Sequence, residues 1–336
     1  MNVLITGANG FVGRHLVRRL LRAGRIGAGQ AAFSRLTLVD LEADGEVGDA
    51  RVRVVRGSIA DDAVLRAAFA ERIDHVIHLA SVPGGAAEKS YALGLDVNLR
   101  ATLAMLERLR AQPAPPARFT FASTIAVYGS PLPALVDDTT PMRPGLSYGA
   151  HKLVDEILVM DYSRRGWIDG RIVRLPGIVA RPAAPSGLLS AFMSDIFWKL
   201  RDGERFTCPV SADAVAWWMS VGCCVDNLLH AAGLDARDVE ARRDWTLPVL
   251  RLRIAELVDA LARRYGDGRR DLVAYAPNDA LEQAFGRFPP LDATAAERIG
   301  FRHDGDVDRL VVNACARDTD RAAMRAQEET TQGDDK

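Results

Sequence analysis

The chain has 336 residues, 48% hydrophobic and 26% charged, with a formal net charge of -1. That make-up suits a globular protein with a real core; it gives no basic surplus for nucleic acid or a membrane surface, and no apolar run approaches the roughly 20 residues that span a bilayer. MNVLITGANG lacks the basic stretch of a signal peptide, Cys208, Cys223, Cys224 and Cys315 lack Cys-x-x-Cys spacing, and the histidines are scattered, so reduced thiols, a cytoplasmic location and no metal site are expected.

Asn2–Thr6 is a short apolar β-rich run and reads as a strand buried on both faces. Gly7-Ala8-Asn9-Gly10-Phe11-Val12-Gly13 follows, and an apolar-periodic helix runs from about Phe11 to Ala23. Strand, glycine turn and helix in that order are the context a dinucleotide fingerprint requires. Gly7 allows the tight turn, Gly10 lets backbone approach a pyrophosphate, and Gly13 lets helix and strand pack closely. The helix N-terminus offers free N–H groups and the positive end of its dipole. A glycine turn without a ligand is the alternative.

Arg35–Val39 reads as the second strand and ends in Asp40. A carboxylate there accepts from ribose hydroxyls and repels a 2′-phosphate, which favours NAD over NADP. Arg35 and Arg51 leave NADP open, and a solvent-facing carboxylate is the alternative for Asp40. The spacing exceeds the usual ~20 residues, with Arg25–Phe33 as the extra loop. Arg51–Arg56 is a third strand; Ser58 and Ile59 after it border the adenine, and Asp61 caps the next helix. Asp74–Ala80 is a fourth strand, with Leu79, Ala80 and Ser81 at the carboxyl edge where ligands of parallel sheets sit. His78 reads as a packed strand histidine. One long helix is expected over Glu88–Arg110, with Asn98 near its middle in a buried polar role or a solvated one.

Arg118–Ser123 is a fifth strand, so Ser123 and Thr124 share a rim with the glycine turn and Ser81; strand-end capping is the alternative for either. After the turn-rich Gly129–Gly145 comes Tyr148-Gly149-Ala150-His151-Lys152. On a helix, Tyr148 and Lys152 lie on one face, one turn apart. A free tyrosine titrates near ~10, and a nearby ammonium favours its phenolate. Tyr148 can then take a hydroxyl proton while hydride leaves the same carbon. A surface tyrosine beside a lysine is the plain alternative, and the upstream elements weigh against it.

TGANGFVG, HLAS, FASTIAVYG, YGAHK and RLPGIVARP together resemble the extended short-chain dehydrogenase/reductase family, relatives of nucleotide-sugar epimerases and dehydratases. The resemblance runs from Met1 to about Val311. It implies an α/β fold: a Rossmann doubly wound parallel sheet over 1–175 that binds NAD, then a smaller C-terminal substrate lobe over 176–316. It implies Tyr148 as base, Lys152 on the nicotinamide ribose, and Thr124 on the reacting oxygen with Ser123 beside it. Pro176 and Ile178 join the cofactor residues, along with Asn9 and Asn98. A homodimer through the Glu88 and Tyr148 helices is also implied.

One departure is informative. In Ala216-Trp217-Trp218-Met219-Ser220-Val221-Gly222-Cys223-Cys224-Val225-Asp226 the family's diphosphate-gripping arginine has no clear counterpart. As strand neighbours the two tryptophans point opposite ways. Either Trp218 faces a substrate pocket, or both are core. Lack of the clamp implies a smaller substrate. The wording from YGAHKLVDEILVMDYSRRGW through SGLLSAFMSDIFWKLRDGE to WWMS is similar to a branch of the family that oxidises carbon 2 of a four-carbon sugar acid with NAD. A carboxylate wants an arginine or a ring of N–H and hydroxyl donors. Arg181 is the first candidate, with a surface ion pair as its alternative. Ser186-Gly187, before a helix expected at Leu188–Arg201, is the second.

The expectation is an NAD-dependent dehydrogenase of a small sugar acid. The alternatives are a nucleotide-sugar epimerase or dehydratase, a threonine-dehydrogenase-like enzyme and a non-enzymatic NAD-sensing regulator. Asp244–Leu250 reads as a strand, Ile254–Arg264 and Asp292–Phe301 as helices, and the polar tail from about Arg317 as disorder.

Overall fold

The computed structural model describes residues 1–26, 32–42, 48–182 and 189–315. Ser186 and the tail from Arg317 lie outside them. The chain-order strands are β1 (Asn2–Thr6), β2 (Arg35–Asp40), β3 (Val52–Arg56), β4 (His75–His78), β5 (Ala117–Thr124), β6 (Ile168–Leu175), β7 (Gly177–Val179), β8 (Phe206–Cys208), β9 (Val215–Ser220), β10 (Asp244–Thr246), β11 (Leu250–Arg253) and β12 (Val273–Tyr275). The helices are α1 (Phe11–Ala23), α2 (Asp62–Ala68), α3 (Gly84–Lys89), α4 (Tyr91–Gly94), α5 (Ala101–Arg110), α6 (Ser147–Arg164), α7 (Phe192–Asp202), α8 (Val221–Gly233), α9 (Ile254–Tyr265), α10 (Asp279–Phe285), α11 (Thr294–Arg298) and α12 (Val307–Cys315).

A seven-stranded sheet runs β10-β6-β5-β4-β1-β2-β3, with every pair parallel. Its inner strands are largely buried on both faces, as in parallel sheets covered by helices on both sides. Along β1, Val3 and Ile5 pack with Leu16 and Leu20 of α1 and Val225 of α8. Leu4 points the other way, with Met105 of α5 and Val159 of α6. The strand order reverses between β1 and β4, which opens a crevice at their carboxyl ends.

The expected helix over Glu88–Arg110 is broken into α3, α4, a wide π-helical turn at Leu95–Arg100, and α5. Asn98 is the reason to look there: buried, it accepts the Val82 N–H at 2.7 Å and donates to the Val82 carbonyl at 3.0 Å. A π turn is a common way to aim a side chain off the regular ladder. The expected strand Asp244–Leu250 is also two pieces. Asp244–Thr246 joins the edge of the large sheet, whereas β11 pairs antiparallel with β9. Pro248 between them has no N–H for a continuous ladder. Of Asp292–Phe301 only α11 is helical.

A three-stranded sheet, β11-β9-β7, and the β12-β8 pair build the second layer. Here the pocket role for Trp218 is corrected. Its ring is 0% exposed and packs with Phe197 and Leu257, with Nε1 donating to the Leu252 carbonyl at 3.3 Å. Trp217 faces Val127 and Val136 and donates to Pro289 O at 2.8 Å. Both tryptophans are core because β9 is covered on both faces. Among the described residues no helix is long and apolar enough to cross a membrane. Trp218→Ala is expected to lower unfolding stability by about 3–5 kcal/mol in urea titration; a loss under about 1 kcal/mol would contradict this core assignment.

Candidate active site

The site is built on the carboxyl ends of the parallel strands. Gly7 takes a left-handed φ of 70°, and a Cβ there would stand 2.7 Å from the Ala80 backbone nitrogen. A Cβ on Gly13 would sit 2.0 Å from the Gly7 carbonyl oxygen. The turn and α1 are thus pressed together in a way only glycine permits. No side chain caps α1, and its first turn carries no acid, so its N–H groups and dipole are available to an anion. The Asp40 carboxylate at the end of β2 accepts the Asn9 N–H at 2.8 Å, which holds it against the glycine turn. Neither rival cation stands near it: Arg35 begins β2 beside Asn2 at the other end of the strand, and Arg51 is paired with Asp49 at 2.6 Å.

A cavity of about 660 Å³ opens along this edge. Gly7, Gly10, Phe11, Val12, Gly13, Asp40, Ser58, Ile59, Leu79, Ala80, Ser81, Ser123, Thr124, Tyr148, Pro176, Ile178 and Arg181 all line it. Asn9, Asn98, Lys152 and Trp218 are not among its lining residues. Asn9 reaches it through its neighbours: its backbone holds Asp40 and its side chain accepts from Arg14 at 2.7 Å. Asn98 stands behind the wall and clamps Val82.

Tyr148 lies in the first turn of α6. Gly149 lets that turn touch β5's exit, since a Cβ there would stand 2.6 Å from the Ala126 carbonyl oxygen. This close approach brings the phenol beside Thr124. Thr124 does two jobs. Its Oγ1 accepts the Ala126 N–H at 3.1 Å as a cap, which leaves its O–H free to donate towards the phenol oxygen. Burial pushes the Tyr148 pKa up; the Thr124 and Ser81 hydroxyls, and then the Arg181 charge, pull against that rise. Arg181 stacks over Phe11 at 5.4 Å.

Lys152 lies behind the cavity wall. It is 2% exposed, donates to the Ala122 carbonyl at 2.8 Å and lies 4.4 Å from the Phe121 ring centroid. It shares a helix face with Tyr148 but sits a turn deeper, in the layer between α6 and β5. Arg181 is the cation that acts on the phenol here. Ser123 is also turned inward: its hydroxyl donates to Glu156 Oε1, which Arg174 grips at 2.6 to 3.1 Å. Of the pair, Thr124 presents its side chain to the cavity. His78 is fully buried, bonded to Thr6 at 2.5 Å and Thr102 at 3.0 Å, and burial holds its pKa well below the ordinary value.

The Glu156–Arg174–Asp244 network went unread in the sequence, although Glu156 follows Lys152 at helical spacing. Ser194 and Asp195 of α7 also line the cavity, and nothing in their local pattern marked them.

The glycine cradle, the bare helix end and the Asp40 carboxylate fit a dinucleotide with a free 2′-hydroxyl. A doubly wound sheet with this cradle and a tyrosine at the strand ends defines an NAD-dependent oxidoreductase. The NAD dependent epimerase/dehydratase family matches residues 3–246, and the chain belongs to it. It is 40% identical to a D-erythronate dehydrogenase of Cupriavidus necator across 93% of this chain and 97% of that protein. It is 30% identical to a D-erythronate dehydrogenase of Haemophilus influenzae across 93% and 98%. A solved nucleoside-diphosphate-sugar epimerase of Agrobacterium tumefaciens superposes with a TM-score of 0.85 at 30% identity, covering 93% and 92%. NAD is the cofactor. Asp40→Ala is expected to weaken NADH binding by about ten- to a hundredfold and to narrow the preference over NADPH, measured by fluorescence titration; unchanged affinity would detach Asp40 from the cofactor.

Proposed function

We propose that this NAD-dependent dehydrogenase oxidises the 2-hydroxyl of a small sugar acid, D-erythronate, to 2-dehydro-D-erythronate. The observation that carries this reading is Arg181. It lines the cavity, its charge acts on Tyr148, and it forms no ion pair with a described residue. It is the one cation among the described lining residues. A single guanidinium suits one carboxylate, bound through paired N–H donors. The relatives named D-erythronate dehydrogenase support the choice of acid.

In this reading the glycine turn and the start of α1 hold the pyrophosphate, Asp40 the adenine ribose, and Tyr148 with Lys152 the nicotinamide ribose. NAD, when bound, supplies the hydride acceptor. Arg181 holds the substrate carboxylate and so orients carbon 2. Thr124 donates to the reacting oxygen, as a positioned hydroxyl does best when its acceptor gains charge. Tyr148 takes the hydroxyl proton as general base. Its burial opposes phenolate formation, so the surrounding hydroxyls and cations must supply the difference. A nucleotide-sugar epimerase would use the same tyrosine, but a diphosphate asks for more positive charge than Arg181 alone offers.

The same reading takes the protein as a homodimer. Val154, Ile157 and Met160 of α6 are 41%, 61% and 38% exposed, and Leu103 of α5 is 39% exposed. Three apolar residues at this spacing form a stripe fit to pack on another copy.

NADH formation on D-erythronate, L-threonate, L-threonine and UDP-sugars tests the substrate. D-erythronate turnover with NAD is the expected result; no turnover of any acid together with UDP-sugar binding would overturn it. Tyr148→Phe should lower kcat by about 10²–10⁴-fold, and Arg181→Ala should lower kcat/KM for the acid by about ten- to a hundredfold while NADH affinity holds. Ile157→Glu should give a monomer in sedimentation; an unchanged sedimentation coefficient would place any dimer contact elsewhere.

A further inference from the structure

Asp155 is buried at 0% exposure in the middle of α6, and neither of its carboxylate oxygens has a hydrogen-bond donor among the described residues. A buried carboxylate without donors is among the costliest arrangements in a protein interior. The Thr102 hydroxyl of α5 lies close enough to favour the Asp155 carboxylate, but it gives its proton to the Asn98 carbonyl at 2.7 Å. The nearest positive charge is Lys152, three residues earlier and so on a neighbouring stripe of the same helix. Lys152 is equally buried, and its one seen bond is to the Ala122 carbonyl.

We infer that Asp155 is a positioning residue for Lys152: its carboxylate is the counter-charge that keeps the buried lysine protonated and ready to hold the nicotinamide ribose. The inference rests on the assignment of Lys152 to the cofactor. Burial alone lowers the proton affinity of Lys152, and the charge of Asp155, then that of Glu156, opposes the fall. Burial likewise raises the pKa of Asp155, and Lys152 opposes that rise. Each group makes the charged state of the other tolerable.

The other groups that face the pair cannot take this role. Glu156 on α6 is held by Arg174 of β6, which also binds Asp244 at 2.7 Å. His78 of β4 is kept neutral by burial. His151 on α6 has its proton affinity lowered by burial and raised by Glu88 of α3, and Glu88 accepts the Ser147 N–H at 2.5 Å. Among the described residues, Asp155 is the carboxylate in this layer that neither an arginine nor a backbone N–H holds.

The sign follows. Without Asp155, Lys152 loses its proton at lower pH, so cofactor binding should fail earlier on the alkaline side. In full-length Asp155→Asn, NADH affinity measured by fluorescence across pH should lose its alkaline limb about one pH unit or more below wild type. Coincident limbs would overturn the inference, because a merely structural role lowers the melting temperature without moving the limb. A thermal cycle tests the pairing without the cofactor. Asp155→Asn and Lys152→Gln should each lower the melting temperature, and the double variant should melt above the sum of the two losses. Additive losses would overturn the pairing. If Asp155→Asn alone does not fold, a folded double variant supports the inference and an unfolded one overturns it. Full NADH affinity in Lys152→Gln would remove Lys152 from the cofactor, while the thermal cycle still reports on the pair.

Discussion

The arrangement of this site depends on the buried pair between Glu156 on α6 and Arg174 on β6. Both are under 5% exposed in their side chains, and the guanidinium grips both carboxylate oxygens. Such a pair adds little net stability, yet leaving one partner unpaired costs about 3–5 kcal/mol. It therefore acts as a registry device. With Arg174 fixed in the sheet, α6 has one rotational setting that satisfies Glu156. Two turns earlier, that setting delivers Tyr148 to the end of β5, where Thr124 waits. Ser123 and Asp244 complete the network and tie β5 and β10 to the same point. The placing of Tyr148 beside Thr124 is thus inherited from a contact between two residues that do not line the cavity.

Charge is distributed unevenly along the cavity. At one end stand a bare helix terminus and the Asp40 carboxylate, one positive and one negative. At the other end Arg181 stands in a largely uncharged surround with Asp195 of α7. Tyr148 lies between, raised in pKa by burial and restrained by hydroxyls on two different strand ends. Burial therefore favours the neutral phenol at that position.

Much of the sheet was legible because each strand of a parallel sheet announces itself as an apolar run, and the glycine turn has a spacing set by close backbone approach. The places of Asp40, Thr124 and Tyr148 on the cavity rim were legible for the same reason: they stand at strand or helix ends whose positions the pattern marks. What stayed hidden depends on contacts between distant residues. The π turn at Leu95–Arg100 carries the Asn98 that serves Val82, and nothing local to the helix signals that partner. Trp218 alternates with Trp217 as a strand pattern requires, but alternation cannot tell a strand covered on one face from one covered on both. Lys152 shows the same limit. Helical spacing put it on the face of Tyr148, while its depth was decided by the Ala122 carbonyl across the layer. Asp155 was invisible as a neighbour of Lys152 for want of any view of burial.

The clamp that Asn98 makes on Val82 has one more consequence. Both bonds run to main-chain atoms, so they secure the path of the loop whatever side chain residue 82 bears. Val82 nevertheless lines the cavity. Backbone course and chemical identity are therefore decoupled at that point. Position 82 is a natural place for divergence, where relatives or engineers can remodel the chamber's shape while the wall that carries Ser81 keeps its place.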